Sequence, residues 1–169
     1  MKTIVTNDRI KAMDITKEWT KKENVGQIIN RQEYIIKGTT YRVDGHHVIL
    51  APTSVEVKVA EILAYKYGKK VELIPQIMYP AGMQTPDYLI DGDRFDLKSP
   101  TGKGKNLLYG MIAKKKQQAH CFVINLTCCP LGMDEIERQT NDLFRSPRTA
   151  FLDIIVFIKG DEIVKVVKR

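Results

Sequence analysis

Apolar and polar positions along this chain follow two different periods, and the switches between them mark out its elements. From Glu33 the runs EYIIK, TYRV and, beyond the turn signal Asp44-Gly45, HVIL are short and rich in β-branched and aromatic residues. They predict a hairpin or meander of strands. The period lengthens after Thr53-Ser54. In VEVKVAEILAYKYG, residues Val55, Val59, Ala60, Ile62, Leu63 and Tyr67 share one face at about 100° per residue, which predicts a helix stopping at Gly68. Period two returns in VELIPQIMY, TPDYLI and RFDLKS, and the last two flank Asp91-Gly92, the strongest local hairpin signal in the chain.

A loop rich in glycine and lysine, PTGKGKN, precedes a predicted helix over 106–119, a buried strand over 120–127 and a helix over 134–144. Two strands, 151–158 and 162–167, close the pattern around Lys159-Gly160-Asp161. Helices alternating with strands, one hairpin among them, predict an α/β domain with a mixed central sheet flanked by helices, behind a β-rich N-terminal module. Residues 1–31 are polar, lysine-rich and weakly periodic, and read as an N-terminal arm, helical or flexible. Residues 32–169 then form one domain with its core motif at 53–127.

The hydrophobic share of 43% and charged share of 28% are ordinary for a globular chain and argue against wholesale disorder. Charge changes the picture more. A formal +7 and a pI near 9.3 attract polyanions, with nucleic acid the leading partner class. The cations are also concentrated: between Asp96 and Asp134 there is no acidic residue, while Lys98, Lys103, Lys105, Lys114, Lys115 and Lys116 fall there. Lys103, Lys105, Lys114 and Lys115 are the expected phosphate contacts. On the predicted helix Lys115 falls among Leu107, Leu108, Met111 and Ile112, so it either reaches toward a site or snorkels. No apolar run is long enough for a membrane span, and the N-terminus lacks the apolar core of a secretory signal, so the chain as given reads as cytoplasmic, without a membrane partner. Cys121, Cys128 and Cys129 fit buried thiols better than a disulfide framework, and the vicinal pair lacks zinc-knuckle spacing. The spacing of His46, His47 and His120 points to no ligand set.

A two-residue turn at Asp91-Gly92 sets Ile90 opposite Asp93 and therefore Asp87 opposite Asp96. Cβ atoms of such a pair lie about 4.5–5.5 Å apart, and like charges there destabilise the hairpin unless something compensates. Lys98 shares a face with Asp96, while Tyr88, Ile90, Phe95 and Leu97 point to the other side. A divalent cation between the carboxylates would cancel their repulsion, and the adjacent ammonium could orient or deprotonate a water, the requirements of phosphodiester hydrolysis. The plain alternative is a solvated acidic hairpin with Lys98 as a salt-bridge partner. Glu56 falls near the middle of the apolar face of its helix, so its carboxylate is aimed inward, yet Thr53-x-x-Glu56 is also a capping box; the sequence satisfies both. Ser99 and Thr101 beside Gly102 and Gly104 read as a solvated turn rather than a phosphate-holding loop.

Pro86-Asp87 followed by Asp96-Leu97-Lys98, with a preceding helix that carries Glu56, resembles the PD-(D/E)xK nuclease superfamily. From about residue 41 to the end, TYRVDG, SVEVKVAEILA, VELIPQ, TPDYLIDGDRFDLKSPTGKGKN and KKKQQAHCFVINL resemble the CdiA-type C-terminal toxin nuclease domain, whose relatives are also joined to phage head-morphogenesis and other mobile-element proteins. The resemblance implies a restriction-endonuclease-like core and a metal-dependent endonuclease acting on DNA or tRNA. By the same resemblance Asp87 and Asp96 would ligate Mg²⁺, Mn²⁺ or Zn²⁺, Glu56 would complete the acidic cluster, Lys98 would assist the attacking water, and Gln118 would support the site. A free-standing phage or mobile-element nuclease is the expectation, with an immunity protein or a phage structural protein as the further partner to test for. Its rival is a non-catalytic nucleic-acid-binding or head-assembly module that retains the fold, for which salt-sensitive binding without turnover is expected. A protein–protein scaffold with an incidental basic face would instead show no affinity for nucleic acid at moderate salt.

Overall fold

The computed structural model describes residues 12–169. The stretch taken as an arm already contains two strands, β1 (Met13–Asp14) and β2 (Gln27–Asn30). The β-rich module follows as β3 (Glu33–Ile36), β4 (Thr39–Arg42) and β5 (Val48–Ile49). Lys37 and Gly38, both left-handed at φ +49° and +80°, close the β3–β4 hairpin in two residues. Thr53 caps α1 (Ser54–Glu61), which continues through a π-helical turn over Ile62–Lys66 and is ended by Gly68 at φ +66°. The single strand expected over 71–79 is instead two, β6 (Lys70–Leu73) and β7 (Gln76–Ile77), because Pro75 offers no N–H to continue a ladder.

Next come β8 (Tyr88–Ile90) and β9 (Asp93–Lys98), joined by Asp91 and Gly92 at φ +49° and +92° in the register read from sequence. They are followed by α2 (Leu107–Ile112), β10 (Cys121–Asn125), α3 (Met133–Arg145), β11 (Ile154–Lys159) and β12 (Glu162–Lys168). Helix α2 is half the length expected. The apolar positions that hold it to the sheet end at Ile112, and Lys114–Gln118 has no apolar residue to continue the packing. Those residues form turns, so the wheel position of Lys115 does not apply.

Eight strands make one mixed sheet in the order β1-β12-β11-β10-β9-β8-β6-β2. Strands β9, β10 and β11 run parallel, as do β2 and β6; the remaining neighbours are antiparallel. Helices α2 and α3 form the crossovers from β9 to β10 and from β10 to β11 and lie on one face, packing with Phe122, Ile124, Ile155 and Phe157. Helix α1 and its π turn cover the other face, over Tyr88, Ile90, Phe95 and Val123. Two small sheets, β3-β4 and β5-β7, complete the set among the described residues.

Residues 12–31, read from sequence as part of an arm, bear strands. β1 pairs with β12 and β2 with β6, so this segment forms both edges of the main sheet. Between them Trp19 meets Phe95 edge-on at 6.3 Å, and the Lys69 ammonium sits 3.9 Å over its ring. Such a cation–π contact contributes about 0.5–1 kcal/mol at an exposed site. The expectation for residues 1–11 lies outside the described residues.

Candidate active site

Strand alternation sends Phe95 and Leu97 toward the α1 side and leaves Arg94, Asp96 and Lys98 on the face shared with α2 and α3. Asp96 is in register with Phe122 of β10, deep in the sheet, and is only 1% exposed. A carboxylate so buried needs partners. The Gln118 side-chain amide donates to its Oδ1 at 2.7 Å, and the Lys98 ammonium is in ion-pair contact with Oδ2. Oδ2 nevertheless lacks a well-aligned hydrogen bond.

Asp87 immediately precedes β8 and faces Asp96 across the hairpin. Its Oδ2 accepts the Leu97 backbone N–H at 2.7 Å. Burial, and then the charge of Asp96, push its carboxyl up to about 7 despite that hydrogen bond. At neutral pH the Asp87 carboxyl is thus poised between its two protonation states.

Glu56 is not brought fully into this cluster. Its carboxylate accepts the Thr53 N–H at 3.1 Å, while Thr53 Oγ1 accepts the Glu56 N–H at 3.2 Å, so the capping box forms. The buried Tyr88 hydroxyl donates to the Glu56 carbonyl at 2.7 Å and ties the start of α1 to the site hairpin. Glu56 remains near enough for its charge to raise the Asp87 carboxyl slightly. Among the described residues no three His, Cys, Asp or Glu side chains gather as a ligand set. What is present fits a hard divalent cation in part: two facing carboxylates, one with a buried oxygen short of a hydrogen bond and one driven to hold a proton that a cation could replace.

Asp87 opens on a cleft of about 240 Å³ that Gln84, Lys115 and Gln118 also line. The structure thus gathers Asp87, Asp96, Lys98, Lys115 and Gln118. Lys103, Lys105 and Lys114 are exposed and stand apart from the lining of this cleft. The loop that bears the first two is fastened to α3: Gln139 donates to the Gly104 carbonyl at 2.9 Å and accepts the Leu108 N–H at 3.1 Å. Sequence reasoning missed Tyr88 as a tether and Arg94 as a neighbour on the Asp96 face. Arg94 was within reach of the alternation that gave Lys98; the Tyr88 contact crosses to another element and left no sequence signal.

Of the three cysteines Cys121 and Cys129 are buried and Cys128 is exposed, all as free thiols. Burial pushes the Cys121 thiol up to about 12, far from a reactive thiolate. Among the described residues no helix is long and apolar enough to cross a membrane.

Comparison with known proteins places this geometry in context. Residues 84–163, from the loop before β8 into β12, match the family model of the contact-dependent growth inhibition CdiA C-terminal domain. The fold is similar to that of a chain in the CdiA-CT/CdiI toxin and immunity complex from Burkholderia pseudomallei, with a TM-score of 0.56 and 23% sequence identity over 85% of this chain and 100% of that one. No curated protein sequence matches the chain significantly.

Proposed function

We propose that this chain is a toxin-type nuclease domain that hydrolyses phosphodiester bonds in DNA or tRNA, with a restriction-endonuclease-like core of the PD-(D/E)xK kind. The observation that carries the reading is the facing pair Asp87 and Asp96, with Lys98 against the second, beside a cleft that also presents Lys115. The match to the CdiA C-terminal domain over the same hairpin supports it.

Asp87 and Asp96 would hold the metal. Two carboxylates with room for water suit Mg²⁺ or Mn²⁺ better than Zn²⁺, which takes three protein ligands at catalytic sites. When bound, such an ion polarises a phosphoryl oxygen and lowers the pKa of water. Gln118 fixes the rotamer of Asp96 through Oδ1, and Lys98 offers its ammonium to the attacking water or to the charge growing on the phosphate. Lys115 holds the substrate phosphate at the cleft. Glu56 serves the start of α1 and the field around Asp87 rather than the metal.

The test is incubation with plasmid DNA and with total tRNA, in Mg²⁺, Mn²⁺ or Zn²⁺ and in EDTA, with Asp96→Ala alongside. Metal-dependent cleavage that falls at least a hundredfold in the mutant is expected, whereas Glu56→Gln, which keeps a capping acceptor, stays within about threefold of wild type. Calorimetric titration with Mn²⁺ provides a readout independent of turnover and should lose its signal in Asp87→Asn. A cognate immunity protein, proposed from the complex named above, is expected to abolish cleavage when added in equimolar amount.

One observation favours a second reading, a non-catalytic nucleic-acid-binding or head-assembly module. Glu56 is committed to its cap and Lys98 to Asp96, which leaves two carboxylates where three were expected. Salt-sensitive binding with neither cleavage nor Mn²⁺ uptake would select it.

A further inference from the structure

The cleft at Asp87 does not end the depression that contains it. Met83 and Gln84 also line a second cavity of about 500 Å³, which extends to Tyr34 and Lys37 on the β3–β4 hairpin, Arg94 on β9 and Lys116 after α2. Two consecutive lysines therefore serve two adjoining spaces, Lys115 the first and Lys116 the second. Arg94 lies two residues from Asp96 on the same strand face, about 7 Å along it at the usual rise. That step is comparable with the spacing of neighbouring phosphates on one strand.

The chemistry of the wall is one-sided. Lys37, Arg94 and Lys116 line it without any Asp or Glu, and no described residue forms an ion pair or hydrogen bond with their side chains. The same lining includes the half-buried Tyr34 with neighbouring isoleucines and Met83. A cavity of this size lined by an aromatic ring and by three cations matches a nucleotide, its base on the ring and its phosphate on the cations. A paired base cannot turn its face to such a wall.

We infer that this second cavity receives an unpaired nucleotide of the substrate strand, next to the phosphodiester at the carboxylate pair, so that single-stranded or locally unpaired nucleic acid is the substrate class. Its position beside a scissile bond rests on the nuclease reading; the binding itself does not.

The experiment is fluorescence anisotropy in EDTA, where no metal-dependent cleavage can intervene, with a labelled single-stranded oligonucleotide and a blunt duplex of the same sequence. Wild type is expected to bind the single strand at least tenfold more tightly. Lys37→Gln and Lys116→Gln, both on exposed turns, together with Arg94→Gln, should each weaken it about three- to tenfold, and Tyr34→Ala should do so while Tyr34→Phe does not. Lys17→Ala, at an exposed position outside both cavities, controls for net charge, and thermal melts check folding. Equal affinity for duplex, variants no weaker than Lys17→Ala, or poly-glutamate competing as well as the oligonucleotide would each overturn the inference. Absence of cleavage by wild type in metal would overturn the nuclease reading alone and leave the binding result standing.

Discussion

Asp87 is the residue on which stability and function pull in opposite directions. Its folded-state carboxyl, at about 7, lies above the ordinary value of 3.8, so between those pH values the folded protein holds a proton that the unfolded chain has released. Stability is therefore highest at the acid end of that window and declines as pH rises through about 7. In EDTA the melting temperature should fall from pH 5 to pH 8, and Asp87→Asn should flatten that slope. Adding Mn²⁺ at pH 8 should restore the melting temperature of wild type but not of the mutant. A slope unchanged by Asp87→Asn would remove Asp87 as its source. At this scale much of the site was legible, because hairpin register and alternation alone bring Asp87, Asp96 and Lys98 together. For Glu56 the sequence held two roles open; the hydrogen bonds of the cap select one, and no period along a helix could have made that choice.

Among the elements, the short α2 and the loop before it determine how the basic segment is presented. Gln139 bridges the Gly104 carbonyl and the Leu108 N–H, and it is itself held by Glu135 at 2.9 Å. Gln139→Ala would leave a buried N–H without its partner, at a cost of about 1–3 kcal/mol. The expected outcome is a lower urea midpoint together with faster amide exchange over 102–108, measured by mass spectrometry. Unchanged exchange there would show that the loop does not depend on the clamp. The helix itself was legible in outline. Its apolar positions were read correctly, but the reading carried the period beyond Ile112, through three lysines with nothing apolar to hold them down. Pro75 broke the β6–β7 run for an equally local reason, and that signal was present in the sequence.

For the whole molecule, the class of fold was readable and the order of strands was not. Alternating periods predict a mixed sheet with helices, but no local pattern indicates that Gln27 pairs with Lys70 or Met13 with Lys168. Both edge strands come from the segment that looked least structured. Deleting residues 1–31 should uncover β12 and β6 as bare edges, and unpaired edges recruit other chains. Size-exclusion chromatography of the shortened chain is expected to give oligomers or aggregate where the full chain is monodisperse; a monodisperse shortened chain would make the edge strands dispensable. The same pairing imposes a timetable on biosynthesis. A ribosome delivers β1 well before its partner β12, which emerges some 150 residues later, so of this pair the earlier strand waits for the later to find its place. Until then the nascent protein carries an open flank, and a stalled or prematurely terminated chain carries it permanently.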